Sequence, residues 1–203
     1  IVSSRNRLYD RQILKFVRLA RPVISVGNLT VGGTGKTPCV IGLAKMLARR
    51  GYRPVVLSRG YGGKNQASVN IVSDGKNIML GAEEAGDEPL LIARSLPGIP
   101  VLTGAKRALT GQAAIERFNA DVLICDDAFQ HRQIFRDIDI VLLDADRPLG
   151  NDRLLPRGEL REPAGSLRRA DCIVLTRADK AGTPPDEIAR ITRERSIPVF
   201  RSV

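Results

Sequence analysis

Tryptophan is absent from these 203 residues, histidine occurs once and cysteine three times. A single histidine excludes paired-histidine catalysis and histidine-built zinc sites within the chain. Cys39, Cys125 and Cys172 sit in apolar runs with neither paired nor metal-ligand spacing, and this odd set suits a reducing compartment rather than a disulfide framework. No apolar run approaches the ~18 residues of a membrane span. Aromatic residues make up only 4%, too few for the stacking platforms of a single-strand nucleic-acid binder. There is no internal repeat and no low-complexity linker.

Positive charge is abundant. Lys and Arg number 32 against 22 Asp and Glu, a net charge of +10 that calls for an anionic partner: nucleic acid, an acidic lipid surface or a phosphorylated substrate. An apolar content of 43% supplies the core of one large domain or one and a half. The chain begins at Ile1 rather than Met and stops just after the strand-like Pro198-Val199-Phe200, so further sequence is expected at either end.

The most informative stretch is Val23-Ile24-Ser25-Val26-Gly27-Asn28-Leu29, followed by Thr30-Val31-Gly32-Gly33-Thr34-Gly35-Lys36-Thr37. An apolar β-branched run, a glycine-rich turn and the start of a helical pattern read as strand, phosphate loop and helix. Gly32, Gly33 and Gly35 are expected to permit φ > 0 and close approach of backbone N–H groups to a polyphosphate. Lys36 then reaches the β/γ-phosphates and the Thr37 hydroxyl ligates Mg²⁺. Thr30 stands where the usual G-x-x-x-x-G-K-[ST] pattern has its first glycine.

A second signal is Asp121-Val122-Leu123-Ile124-Cys125-Asp126-Asp127, an apolar strand ending in the carboxylates that a P-loop protein places opposite its Thr for Mg²⁺. Side chains alternate across a strand, so Asp126 and Asp127 have different jobs, and pattern alone leaves open which touches the metal. Gln130 and the lone His131 follow. Residues 54–58 and 101–103 read as short strands, and the near-continuous apolar runs at 138–144 and 170–176 indicate strands covered on both faces, as in a parallel sheet. Asp74-Gly75 marks a β-hairpin over residues 68–80 that interrupts the βαβ alternation at the sheet edge. Helical patterns follow the phosphate loop, run from about Gly104 to Arg117 and from Asp186 to Arg195.

Residues 1–21 interleave six basic residues with Leu8, Tyr9, Ile13, Phe16 and Val17 at helical spacing. They are expected to form a basic amphipathic helix, lying either on an anionic membrane surface or docked on its own domain. In Gly86-Asp87-Glu88-Pro89, pattern alone favours Asp87 as a helix N-cap. Lys106 and Arg107 follow a strand end, where they either hold a phosphate or are solvated. The long stretch 147–163 has the length of a functional loop, and its arginines and Glu162 suit a phosphate and metal site. Thr176-Arg177-Ala178-Asp179 loosely matches the base-reading motif of P-loop GTPases.

Taken together, VISVGNLTVGGTGKTP, LSRGYGG, GDEPLL, DDAFQHR and NDRLLPRGELREP, in that order, resemble the tetraacyldisaccharide 4′-kinase family of lipid A biosynthesis. That resemblance implies an α/β P-loop kinase domain over residues 22–203, with residues 1–21 as a membrane-interface helix. It implies transfer of the ATP γ-phosphate to the 4′-hydroxyl of tetraacyldisaccharide 1-phosphate, an anionic glycolipid, giving lipid IVA. The enzyme would sit peripherally on the cytoplasmic face of the bacterial inner membrane, with no nucleic acid as partner. Residues 30–37 would bind ATP, and Thr37, Asp126, Asp127 and Glu162 would serve Mg²⁺. Asp87 would be the general base, while Arg107, Gln130, His131 and Arg161 would contact the headgroup. The family's further C-terminal subdomain, with a His that partners the catalytic Asp, is not contained in these residues. The competing reading is a deviant-Walker ATPase or GTPase switch that binds a partner or nucleic acid.

Overall fold

A computed structural model describes residues 2–65, 67–179 and 185–202. Its centre is an eight-stranded sheet built from β1 (Val23–Asn28), β2 (Pro54–Ser58), β3 (Asn70–Ser73), β4 (Val101–Thr103), β5 (Val122–Asp126), β6 (Ile138–Asp144), β7 (Cys172–Thr176) and β8 (Val199–Arg201). The spatial order is β3-β4-β2-β5-β1-β6-β7-β8, and every pairing is parallel except β3 against β4. β1 and β5 are buried at every position, as expected of strands covered on both faces.

Alternation along each strand sorts the apolar side chains into two layers. Val26, Val56, Ile124 and Leu142 pack under α2 (Lys36–Arg49) and α4 (Asp87–Ser95). Their neighbours Val55, Leu57, Leu123 and Cys125 face the side of α5 (Arg107–Phe118), and Val141, Leu143, Ile173 and Leu175 meet α6 (Asp186–Arg195) and a short 3₁₀ helix at Ala164–Arg169. Parallel strands bring the C-terminal ends of β1, β2, β4 and β5 to one edge, where ligands bind in open α/β sheets. Gly27 is needed there because a Cβ would lie 2.6 Å from Phe129 Cβ and 2.8 Å from its nitrogen. The segment after β5 therefore passes directly against β1.

Two expectations change. Helix α1 spans only Val2–Asp10, not 1–21. The rest of that segment leaves helical geometry, and Val17 instead forms backbone bonds with Gln133 (2.8 Å) and Phe135 (2.9 Å), bridging Ile134. The hairpin keeps its turn, since Asp74 Oδ1 accepts from the backbone of Lys76 and Asn77, but only its first arm is a strand. That arm, β3, pairs antiparallel with β4 at the sheet edge, while the second arm contributes a single bridge, Ser73 to Ile78. Among the described residues no helix is long and apolar enough to cross a membrane. All three cysteines are free, and burial pushes the Cys125 thiol up to about 12 and Cys39 to about 11.

Candidate active site

The turn after β1 adopts the geometry its glycines promised at two of three positions. Gly32 (φ 111°) and Gly35 (φ 81°) are left-handed, whereas Gly33 is not and has open space where a side chain would lie. Gly35 precedes α2, whose first turn carries no acidic residue to compete for an anion. A cavity of about 490 Å³ opens there, lined by residues 32–38 together with Tyr61, Glu88, Asp127 and Arg161. Thr30 is buried and bridges Leu160, so this position anchors the 147–163 segment rather than approaching a ligand. Val31 is exposed.

Lys36 is buried, and its ammonium lies 3.6 Å from Asp127 Oδ1. Both Asp127 oxygens also accept from Arg161 Nη1, each at 2.8 Å. Asp126 is a different environment. It is 1% exposed, Oδ2 accepts from the Ser58 hydroxyl at 3.2 Å, and Oδ1 has no partner. Burial pushes its pKa up to about 7, with the charges of Glu88 and Asp127 adding to the effect. A buried carboxylate oxygen with nothing bound to it is what a cation near the phosphates would complete. Among the described residues no cluster of three or more acidic, His or Cys side chains forms a ready-made metal cage.

Next to this pocket lies a larger cavity of about 1000 Å³ over the ends of β2, β4 and β5. Asp87 and Glu88 line it from the first turn of α4, and Arg107, Gln130, His131 and Arg161 line it from the other walls. Gly86, not Asp87, is the N-cap of α4, so Asp87 is the first helical residue. Gly86 has φ 91° and a Cβ there would run into the Tyr61 carbonyl oxygen, which fixes the 59–63 loop against the helix that carries Asp87. Arg107 is 2% exposed, donates to the carbonyls of Gly104 (3.0 Å) and Ala105 (3.4 Å), and keeps an unpartnered Nε; burial lowers its pKa. Gln130 donates to the Asn28 carbonyl at 2.8 Å and has a buried Oε1 without partner. Burial, reinforced by Arg107, Arg136, Arg59 and Arg5, pushes His131 down to about 4, so it enters the cavity neutral at pH 7.

Glu162 departs from its expected place at a metal. It is fully buried, lines neither cavity, and its two oxygens accept from Arg5 (3.4 Å) and Arg169 (2.6 Å). The residue that does join the site is one the motif reading passed over. Glu88 Oε1 accepts from the Thr37 hydroxyl at 2.5 Å and lines both cavities. Its signal was the second carboxylate in Gly86-Asp87-Glu88-Pro89, turned about 100° from the first on the helix. Arg59 and Lys106 also line the larger cavity. Thr176 donates to the phosphate-loop carbonyl of Thr34 at 3.2 Å, and Arg177 to that of Gly33 at 3.4 Å.

A phosphate loop leaving a central parallel strand, with an acid-tipped strand beside it and helices on both faces, places this chain in the P-loop class of α/β proteins. The chain belongs to the LpxK family: the family model described as tetraacyldisaccharide-1-P 4′-kinase matches residues 1–202. A tetraacyldisaccharide 4′-kinase from Syntrophus aciditrophicus is 59% identical over all of this chain and 56% of its own length. One from Geobacter sulfurreducens is 50% identical over 91% of this chain and 52% of its own. The chain thus spans about half the length of the curated relatives it matches. The crystal structure of the "apo" form of LpxK from Aquifex aeolicus in complex with ATP superposes with a TM-score of 0.86 at 42% identity, covering 98% of this chain and 59% of that one. The signal recognition particle receptor FtsY from Elizabethkingia anophelis, at TM-score 0.54 and 17% identity over 88% of this chain and 57% of its own, shares the fold alone.

Proposed function

We propose that the protein transfers the γ-phosphate of ATP to the 4′-hydroxyl of tetraacyldisaccharide 1-phosphate. The observation that carries this reading is the junction of the two cavities, which share Tyr61, Glu88, Asp127 and Arg161. A phosphate donor held by residues 32–37 and an acceptor in the larger space meet across those side chains. Family membership supports the choice of donor and acceptor.

Lys36 and the loop N–H groups hold the donor phosphates, and Arg161 neutralises charge at the junction. Binding of the donor replaces Asp127 as the partner of Lys36. Mg²⁺, when bound, would supply charge neutralisation for the donor, and Thr37 and Asp126, with Glu88 adjacent to Thr37, are the residues that would hold it. Asp127, freed of Lys36 by the donor and still bonded through both oxygens to Arg161, orients that guanidinium instead. Asp87 accepts the acceptor hydroxyl proton late in the transfer. Arg107, Gln130 and His131 bind the sugar headgroup, with Arg107 supplying positive charge and His131 a neutral hydrogen-bonding edge. The exposed Leu8, Ile13, Phe16 and Val17, interspersed with Arg7, Arg11, Lys15 and Arg18, lay the amino-terminal segment on the anionic membrane surface that presents the lipid.

A kinase turns over ATP far faster with its acceptor present than with water alone. With the protein at its full encoded length, ADP release in mixed micelles should rise at least about tenfold on adding acceptor, and ATP should outperform GTP. Acceptor-independent hydrolysis with GTP preferred points instead to a GTPase switch.

A further inference from the structure

Helix α1 is held to the body by polar contacts rather than an apolar face. Asn6 is its buried residue, and Arg132 is its main clamp, donating to the Asn6 carbonyl at 2.9 Å and pairing with Asp10 at 2.8 Å while lying over the Tyr9 ring. A second attachment among the described residues is Arg5, which lines the larger cavity and bonds two of its supports. It donates to the Gln130 carbonyl at 3.2 Å and to Glu162 Oε1 at 3.4 Å.

Each support leads to the reaction site. Gln130 reaches through its amide to the carbonyl of Asn28, the last residue of β1. Glu162 follows Arg161, whose guanidinium grips Asp127. A fully buried carboxylate needs its cations, and Arg169, stacked over Phe129 at 4.5 Å, supplies only one of the two.

We infer that Arg5 is a positioning residue for the acceptor: by bonding the Gln130 carbonyl and Glu162 together it sets the separation of the cavity walls that carry Gln130 and Arg161, and it does so only while α1 is seated. This rests on the proposed transfer reaction. The phosphate loop is outside its reach, since neither Arg5 nor α1 lines the nucleotide cavity. Arg5 therefore acts on acceptor use and leaves donor binding alone.

The test uses the protein at its full encoded length with ATP and tetraacyldisaccharide 1-phosphate in mixed micelles. Arg5→Gln should lower kcat/KM for the acceptor roughly ten- to a hundredfold while the Kd for ATP stays within about twofold, and Arg5→Lys should recover part of the loss. Arg132→Gln, which unseats α1 without touching a cavity residue, should reproduce the acceptor defect in smaller measure. An unchanged kcat/KM in Arg5→Gln overturns the inference, as does a parallel loss of ATP binding, which would mark a merely structural role. An Arg132→Gln variant with wild-type acceptor kinetics overturns the seating requirement. If wild type itself phosphorylates no acceptor, the transfer reading fails rather than this one.

Discussion

Asp87→Asn is expected to lower kcat for lipid phosphorylation by roughly 10²- to 10⁴-fold, the range for loss of a positioned general base, while ATP affinity changes less than about twofold. The asymmetry follows from placement. Asp87 lines the acceptor cavity from the first turn of α4 and does not line the phosphate-loop cavity, whereas its neighbour Glu88 lines both. Substitution with Asn keeps size and polarity and removes only the proton acceptor. Titration calorimetry with ATP and a steady-state transfer assay separate the two quantities. Equal losses in both would assign Asp87 to nucleotide binding and remove it from proton transfer.

Asp126→Asn should do two opposite things. Transfer should fall by roughly 10²- to 10³-fold, because this buried carboxylate, within the field of Lys36 and with one oxygen unpartnered, is the group that fits the metal. The metal-free protein, by contrast, should become more stable. Burial raises Asp126 from 3.8 to about 7, with Glu88 and Asp127 contributing. The unfolded chain therefore releases this proton near pH 4 and the folded chain near pH 7. Between those values the folded state binds more protons, so stability falls as pH rises, and the full penalty applies above about 7. Asn carries no such penalty. Thermal unfolding in chelator should show Asp126→Asn ahead of wild type by on the order of 1 kcal/mol or more at about pH 8, with the advantage shrinking towards about pH 5. A variant less stable than wild type at both pH values would mean that the Ser58 bond, not the unpartnered oxygen, dominates at this position.

What the sequence made legible was local. β1 and β5 announce themselves through apolar runs, broken in β1 by Ser25, and one P-loop rule sets them side by side; Lys36 and Thr37 then open α2 and Asp126 closes β5, while their chemical roles belong to the proposed reaction. Asp87 reaches its cavity through the resemblance; pattern alone preferred an N-cap, a position Gly86 occupies. The amino-terminal segment misled because its apolar spacing continues past Asp10, although those side chains stay largely exposed and Val17 bonds to the strand-like 133–135 stretch. Periodicity cannot distinguish a docked helix from an extended tether with the same composition. The pairing of Glu162 with arginines escaped the motif reading for a different reason. Its partner Arg5 lies 157 residues earlier, a pairing no local pattern encodes. Glu88 was hidden by adjacency, since a motif with two neighbouring carboxylates draws attention to one.

The central claim is that the phosphate loop serves transfer to a lipid hydroxyl. The most direct test follows label from γ-labelled ATP into tetraacyldisaccharide 1-phosphate in mixed micelles, using the protein at its full encoded length beside Lys36→Ala. Labelled lipid with wild type, reduced by roughly a hundredfold or more in Lys36→Ala, is the expected result. Steady release of labelled phosphate with no labelled lipid would contradict it.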